Sequence, residues 1–175
     1  MGTHKPLVPF GGARLIDAVV ARAAPQVGRL AIDVPRAMAP DYAYPDVLPD
    51  LYEEQRGPLC GVITGLEWLE ADWLATFPCD TPFLPRDLVA QLAAQGAPAV
   101  VKDMPVCGLW PRSALPHLRA ALDAHGSVRR ALTELGGREV EIAAPAHAFF
   151  NVNRFEDLQE AMRLLAQEDE ASRRR

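Results

Sequence analysis

A single aspartate, Asp80, stands in the run CDTPFLP (residues 79–85), just after the apolar run WLATFP (residues 73–78). Pro78, Pro82 and Pro85 stiffen this segment. An apolar run of that length reads as a buried strand, which puts Asp80 at the strand's carboxyl end. A carboxylate there suits Mg2+, which takes one or two protein carboxylates and completes its shell with water and phosphate oxygens. The plain alternative is an aspartate that accepts backbone N–H groups in its own turn, as Asp does before Thr-Pro. Two further stretches offer ligand chemistry. In DLYEEQRGPLCG (residues 50–61), Gly57 and Gly61 bracket the opening of a helix. Glycines let a backbone approach a planar or anionic ligand, and helix N-termini favour anions; an ordinary loop-to-helix junction has the same look. In FFNVN (residues 149–153), Asn151 and Asn153 alternate, so in an extended segment both amides share a face and can hydrogen-bond a heterocycle. Asn153 is equally suited to cap the helix that follows.

The elements around these stretches alternate. Apolar residues at helical spacing fill residues 14–24, and Pro25 stops the run. Strands are expected at residues 30–34, 47–48, 73–77 and 140–142, and a hairpin at residues 99–102 and 106–110. Helices are expected within residues 57–70 and at residues 85–95, 111–125, 128–135 and 155–166, with residues 39–44 as loop. Such alternation predicts an α/β domain with a mostly parallel sheet, whose ligands bind at the carboxyl ends of the strands. The 175 residues, 49% of them hydrophobic, suffice for one domain over residues 1–167, with residues 168–175 as a charged tail.

Charge and composition exclude several classes. A net charge of −5 argues against nucleic-acid binding. No apolar run approaches the ~20 residues of a membrane span, and the N-terminal residues fit neither a signal peptide nor a myristoylation site. Cys60, Cys79 and Cys107 are odd in number and sit in apolar contexts, so they read as reduced core thiols of a cytoplasmic protein. His4, His117, His125 and His147 lack metal-ligand spacing, and His117 and His125 read as helix-surface or helix-end residues.

The order HKPL, GPLCG, CDTPFLP, PVCGLWP and FFNVN, followed by EDL, resembles the molybdenum cofactor guanylyltransferases over residues 5–158. The resemblance implies a Rossmann-like nucleotidyltransferase domain, three layers α/β/α. It implies transfer of GMP from Mg-GTP to the phosphate of molybdenum-molybdopterin, with release of pyrophosphate. GTP and molybdenum-molybdopterin would be the substrates, and other cofactor-biosynthesis proteins and acceptor molybdoenzymes the partners. By the same resemblance, Lys5 would neutralise nucleotide phosphates and Asp80 would bind Mg2+. Asp50 would contact the nucleoside, Gly57 and Gly61 would lie near the base, and Asn151 and Asn153 would serve the pterin side. Arg129, or its neighbour Arg130, falls near a family arginine that meets substrate phosphate.

The chain also departs from that pattern. Family members begin with an apolar strand and a glycine-rich loop, and this chain starts where that loop should end. His4 stands where an Asp usually precedes the lysine, and Arg154-Phe155 replaces the usual Thr-Pro. Asp33, in LAIDV, lies near a common Asn; a carboxylate there can accept the N1 and N2 protons of guanine, or be a plain strand-end Asp. Without the first strand and loop, two strand edges would lack partners and the backbone cradle for the triphosphate would be absent. Poor transfer by the 175-residue chain is the corresponding expectation. Cytidylyl transfer, or a non-catalytic nucleotide- or pterin-binding role, is the alternative.

Overall fold

In the computed structural model, residues 5–52 and 57–174 are described. His4, the acidic part of the loop at residues 53–56, and Arg175 lie outside them. Contacts divide the chain into two compact units. Unit 1 comprises Met1–Gln26, Phe77–Arg86 and Ala143–Arg175, and unit 2 comprises Val27–Thr76 and Asp87–Ile142.

Unit 1 begins with a short turn of 3-10 helix, Lys5–Leu7. Strands β1 (Pro9–Phe10) and β2 (Ala13–Arg14) pair antiparallel around Gly11-Gly12, both at positive φ, the conformation a two-residue hairpin turn demands. Helix α1 (Leu15–Ala23) buries Leu15, Ile16, Val19 and Ala23, the stripe its spacing predicts. Its start is held by Asp17, whose carboxylate accepts the Arg14 backbone N–H at 2.9 Å. The last helix of the chain, α6 (Phe155–Arg173), starts the same way: Asp157 accepts the backbone N–H of Arg154 at 2.7 Å and of Asn153 at 2.9 Å. Val8, Phe10, Leu15, Phe83, Val152, Leu158 and Ala161 form the core of this unit.

In unit 2, β3 (Ile32–Val34) and β4 (Val47–Pro49) pair in parallel. Helix α2 (Pro58–Trp68) follows, with proline in its first turn and Gly57 at φ 79° before it. A second sheet has the order β5-β7-β6-β8, from β5 (Trp73–Thr76), β6 (Ala99–Val101), β7 (Met104–Pro111) and β8 (Arg138–Val140). Here β6 runs parallel to β8 and β7 opposes both β5 and β6. Strands β5, β6 and β8 therefore share a direction, and the reversal of β7 comes from its two-residue hairpin with β6 at Lys102-Asp103. Among the described residues β3 pairs only with β4, and β5 only with β7, while α2 contacts all four of these strands.

Both faces of this mixed sheet are buried, as helices cover each of them. Leu74, Val100 and Trp110 pack with α2, α4 (Leu115–Asp123) and α5 (Val128–Glu134). The alternating neighbours Ala99, Val101 and Leu109 are buried too, where α3 (Leu88–Ala94) contacts β6 and β7. The Trp110 indole N–H donates to Thr76 Oγ1 at 3.3 Å, so the largest core side chain has its polar atom satisfied. Among the described residues no helix is long and apolar enough to cross a membrane.

Several boundaries differ from the sequence reading. Helix α3 starts at Leu88, not Pro85, because the Pro85 carbonyl accepts a hydrogen bond from the Gln26 side chain at 2.9 Å and ends the preceding loop. Residues 36–41 form 3-10 helix where loop was expected from residue 39. A 3-10 turn, Arg112–Ala114, precedes α4. Strand β8 lies two residues earlier than expected. The charged tail is helical: α6 runs to Arg173, with Glu168 paired to Arg22 and Glu170 to Arg174. Cys60 and Cys107 are buried thiols, and burial pushes the Cys107 thiol up to about 12. Cys79 is not a core residue; it is exposed at the turn before Asp80.

Candidate active site

The loop of residues 77–86 has one face in the core and one at the surface. Thr81, Phe83 and Leu84 are buried, and they fix the backbone that carries Asp80. The Asp80 carbonyl accepts the backbone N–H of Val152 at 2.9 Å, which brings CDTPFLP against FFNVN. Val152 is fully buried while Asn151 and Asn153 are exposed, so the two amides do alternate outward. Lys5 Nζ donates to Asp80 Oδ2 at 2.6 Å and to Asn153 Oδ1 at 2.7 Å. Thr81 Oγ1 donates to Asn151 Oδ1 at 2.9 Å. Lys5, Asp80, Asn151 and Asn153, spread over nearly 150 residues of chain, are thus one cluster in unit 1.

Its chemistry follows from which atoms are engaged. The Lys5 and Asp80 side chains retain 27% and 18% exposure, enough for a ligand to reach both. Both asparagine oxygens accept hydrogen bonds, which leaves each NH2 group to donate outward. The cluster therefore offers a cation and amide donors around one carboxylate. Among the described residues no group of three or more His, Cys, Asp or Glu could hold a metal ion. A lone carboxylate still fits Mg2+ in the mode where a ligand's phosphates and water supply most of the shell.

A supporting network lies behind the loop, and no sequence motif signals it. Arg22 on α1 donates to the backbone carbonyl of Leu84 at 3.3 Å and of Phe83 at 3.5 Å, and lies 5.8 Å from the Phe83 ring centroid. Arg22 also pairs with Glu168 on α6. His147 meets Glu168 at 3.0 Å and packs edge-on against Phe83. Gln26 donates to the carbonyls of Pro85 and Arg22. Burial alone would lift the Glu168 carboxyl; the hydrogen bonds and charges of His147 and Arg22 outweigh it and hold that carboxyl below its ordinary value.

Unit 2 holds a cavity of about 280 Å3 lined by Asp33, Val34, Pro35, Asp50, Gly57, Pro58 and Gly61. It gathers at the carboxyl ends of the parallel pair β3 and β4 and the first turn of α2, as open α/β sheets arrange their ligand sites. A Cβ at position 61 would stand 2.9 Å from Asp33 Oδ2, so a larger residue there would displace the Asp33 side chain. Asp33 is exposed as a residue, with its Oδ2 turned toward Gly61 at the first turn of α2. Burial, and then the nearby Asp50 charge, raise the Asp33 carboxyl to about 6. Asp50 accepts the Tyr52 backbone N–H at 3.1 Å, and its own N–H donates to the Val34 carbonyl at 2.8 Å.

Arg129 does not line this cavity. Its guanidinium pairs with Glu139 at 2.8 Å and Asp103 at 3.1 Å. Arg130 pairs with Glu134 beside a hollow of about 140 Å3 that contains none of the other motif residues. His117 meets Glu134 on the surface, and His125 follows α4 at φ 53°, as helix-surface and helix-end residues.

A parallel strand pair with a cavity at its carboxyl ends, beside a four-stranded sheet covered by helices on both faces, defines a Rossmann-like α/β class of domain. The chain belongs to the MobA-like NTP transferase domain family, whose family model matches residues 1–169. A molybdenum cofactor guanylyltransferase of Cupriavidus necator is 35% identical, over 90% of this chain and 86% of that protein. One from Cereibacter sphaeroides is 38% identical, over 94% and 89%. Among solved structures, molybdopterin-guanine dinucleotide biosynthesis protein A from Archaeoglobus fulgidus superposes with a TM-score of 0.77 at 19% identity, over 95% of this chain and 92% of that one. The 2-C-methyl-D-erythritol 4-phosphate cytidylyltransferase of Thermus thermophilus gives 0.70 at 18% identity, over 93% and 94%. These two structural likenesses speak to the fold, which matches the α/β domain expected from the alternation of strands and helices and the Rossmann-like architecture that the resemblance implies.

Proposed function

We propose that this chain transfers GMP from GTP to the terminal phosphate of molybdenum-molybdopterin. The observation that carries the reading is the convergence of Lys5, Asp80, Asn151 and Asn153 in a chain 35–38% identical to proteins named for that activity. A phosphate oxygen of the pterin attacks the α-phosphorus of GTP. A new P–O bond forms, the bond to the β-phosphate oxygen breaks, and pyrophosphate leaves. The attacking oxygen belongs to the substrate, so no protein nucleophile is required, and catalysis rests on positioning and charge stabilisation.

Asp80 is the residue that would hold Mg2+, which supplies neutralisation of the phosphate charge when bound. Lys5 provides a fixed positive charge, already oriented by Asp80 and Asn153. Asn151 and Asn153 present NH2 donors to the acceptor. In the cavity of unit 2, Asp33 accepts the N1 and 2-amino protons of guanine, Asp50 takes the ribose, and Gly57 and Gly61 let the base approach the backbone. A phosphate contact by Arg129 requires it to exchange Glu139 and Asp103 for the ligand. Residence in the cytoplasm, among reduced thiols, fits Cys60, Cys79 and Cys107.

The test is pyrophosphate release with molybdenum-molybdopterin and each of GTP, CTP and ATP, with Mg2+. Transfer from GTP alone is the expected result. Preference for CTP would make the chain a cytidylyltransferase, and saturable binding of nucleotide or pterin without transfer would leave it a binding protein.

A further inference from the structure

Phe155 opens α6 with 57% of its surface exposed. The buried side of that helix is made by Leu158 and Ala161, with Leu164 and Leu165 packed beside them, and Phe155 does not belong to it. Its immediate predecessors are Asn153, bonded to Lys5, and the exposed Arg154. Asp157 fixes the backbone N–H groups of Asn153 and Arg154 together, so the aromatic ring and the amide are carried on one rigid helix start. An exposed aromatic two residues after an outward amide, with Arg154 between them and Lys5 bonded to that amide, has the composition of a site for a planar, phosphorylated heterocycle. We infer that Phe155 stacks on the planar ring of the acceptor, with Arg154 adding positive charge toward its phosphate. This rests on the proposed assignment of Asn151 and Asn153 to the pterin side.

Met162, seven residues on, is also exposed at 50% and continues the stripe roughly 10 Å along the helix. A stripe that served a protein partner would use both residues, whereas a stacked ring would use Phe155 alone.

The experiment compares Phe155→Ala, Phe155→Trp and Met162→Ala with the wild type. KM for molybdopterin and for GTP is measured in the transfer assay, and thermal midpoints are recorded. Loss of a base-aromatic stack by alanine substitution predicts a rise in acceptor KM of roughly tenfold for Phe155→Ala. GTP KM, kcat and the thermal midpoint should stay near wild type, and Phe155→Trp should restore acceptor KM. In a separate titration with a 6-alkylpterin phosphate, Phe155→Trp should show saturable fluorescence quenching beyond that of the wild type. An unchanged acceptor KM in Phe155→Ala, an equal rise in Met162→Ala, or no extra quenching overturns the inference. A wild type that transfers nothing while Phe155→Trp still quenches would refute the transfer reading and leave the stacking assignment standing.

Discussion

At the residue scale, two carboxylates have opposite situations. Asp80 pairs with Lys5 in the cluster, whereas Asp33 lies against α2 and, among the described residues, no cation lines its cavity. Asp80→Ala is expected to lower transfer by on the order of 10²–10³, the usual cost of removing one preorganised charge partner. Its stability cost should be only about 1 kcal/mol, since an ion pair that stays partly open to solvent contributes little. Thermal midpoint and single-turnover rate, measured on the same preparation, check this; a variant that transfers normally would remove Asp80 from the machinery. Asp33 titrates near 6 instead of 3.8, so the folded state holds its proton more tightly than the unfolded state. The stability this brings is fully present below 3.8 and is lost as pH rises through about 6. Asp33→Asn removes that titration. The variant should melt above wild type near about pH 7.5 and alongside it near about pH 4. Parallel curves for the two proteins across this range would contradict the assignment.

At the element scale, the Asp80 loop is a rigid part because α1 and α6 hold it from behind. Arg22 satisfies two loop carbonyls and neutralises Glu168, which in turn engages His147. Removing Arg22 leaves those carbonyls and a partly buried carboxylate without their cation. Arg22→Ala should therefore cost about 2 kcal/mol, the scale of charge-assisted hydrogen bonds. Arg22→Lys keeps the charge without the planar fork and should recover only part of that. If the network positions Asp80, kcat in Arg22→Lys should fall more than the thermal midpoint would suggest, while KM for GTP holds. Equal recovery of stability and kcat would assign Arg22 to packing alone.

At the scale of the whole molecule, an exposed aromatic on an edge strand matters most. Among the described residues strand β5 ends its sheet, and Trp73 on it is 52% exposed. An apolar residue on an unpaired edge invites edge-to-edge pairing, which charged side chains on natural edge strands suppress. Trp73→Lys should reduce concentration-dependent self-association in light scattering and leave the thermal midpoint within a degree or two, since an exposed side chain adds little to the core. Unaltered scattering would show that the β5 edge is not the sticky surface.

Much of this was legible in the chain itself. The stripe of α1, the proline start of α2, the β6–β7 hairpin and the outward alternation of Asn151 and Asn153 are local patterns, and local periodicity is written in neighbouring residues. The order of the motifs pointed to the family, and Asp80 and Lys5 to the cluster. Helix ends were less legible, because they depend on partners far away: Pro85 ends a loop through Gln26, and α6 extends past residue 166 with Glu168 held by Arg22. The same holds for the Arg22–Glu168–His147 support. Arg22 reaches carbonyls 61 and 62 residues on and a carboxylate 146 residues away. The placement of Asp33 against α2 and the exposure of Cys79 and Phe155 also belong to the folded chain. Burial and long-range contact are properties of packing, and no local pattern of residue types encodes which distant side chains will meet.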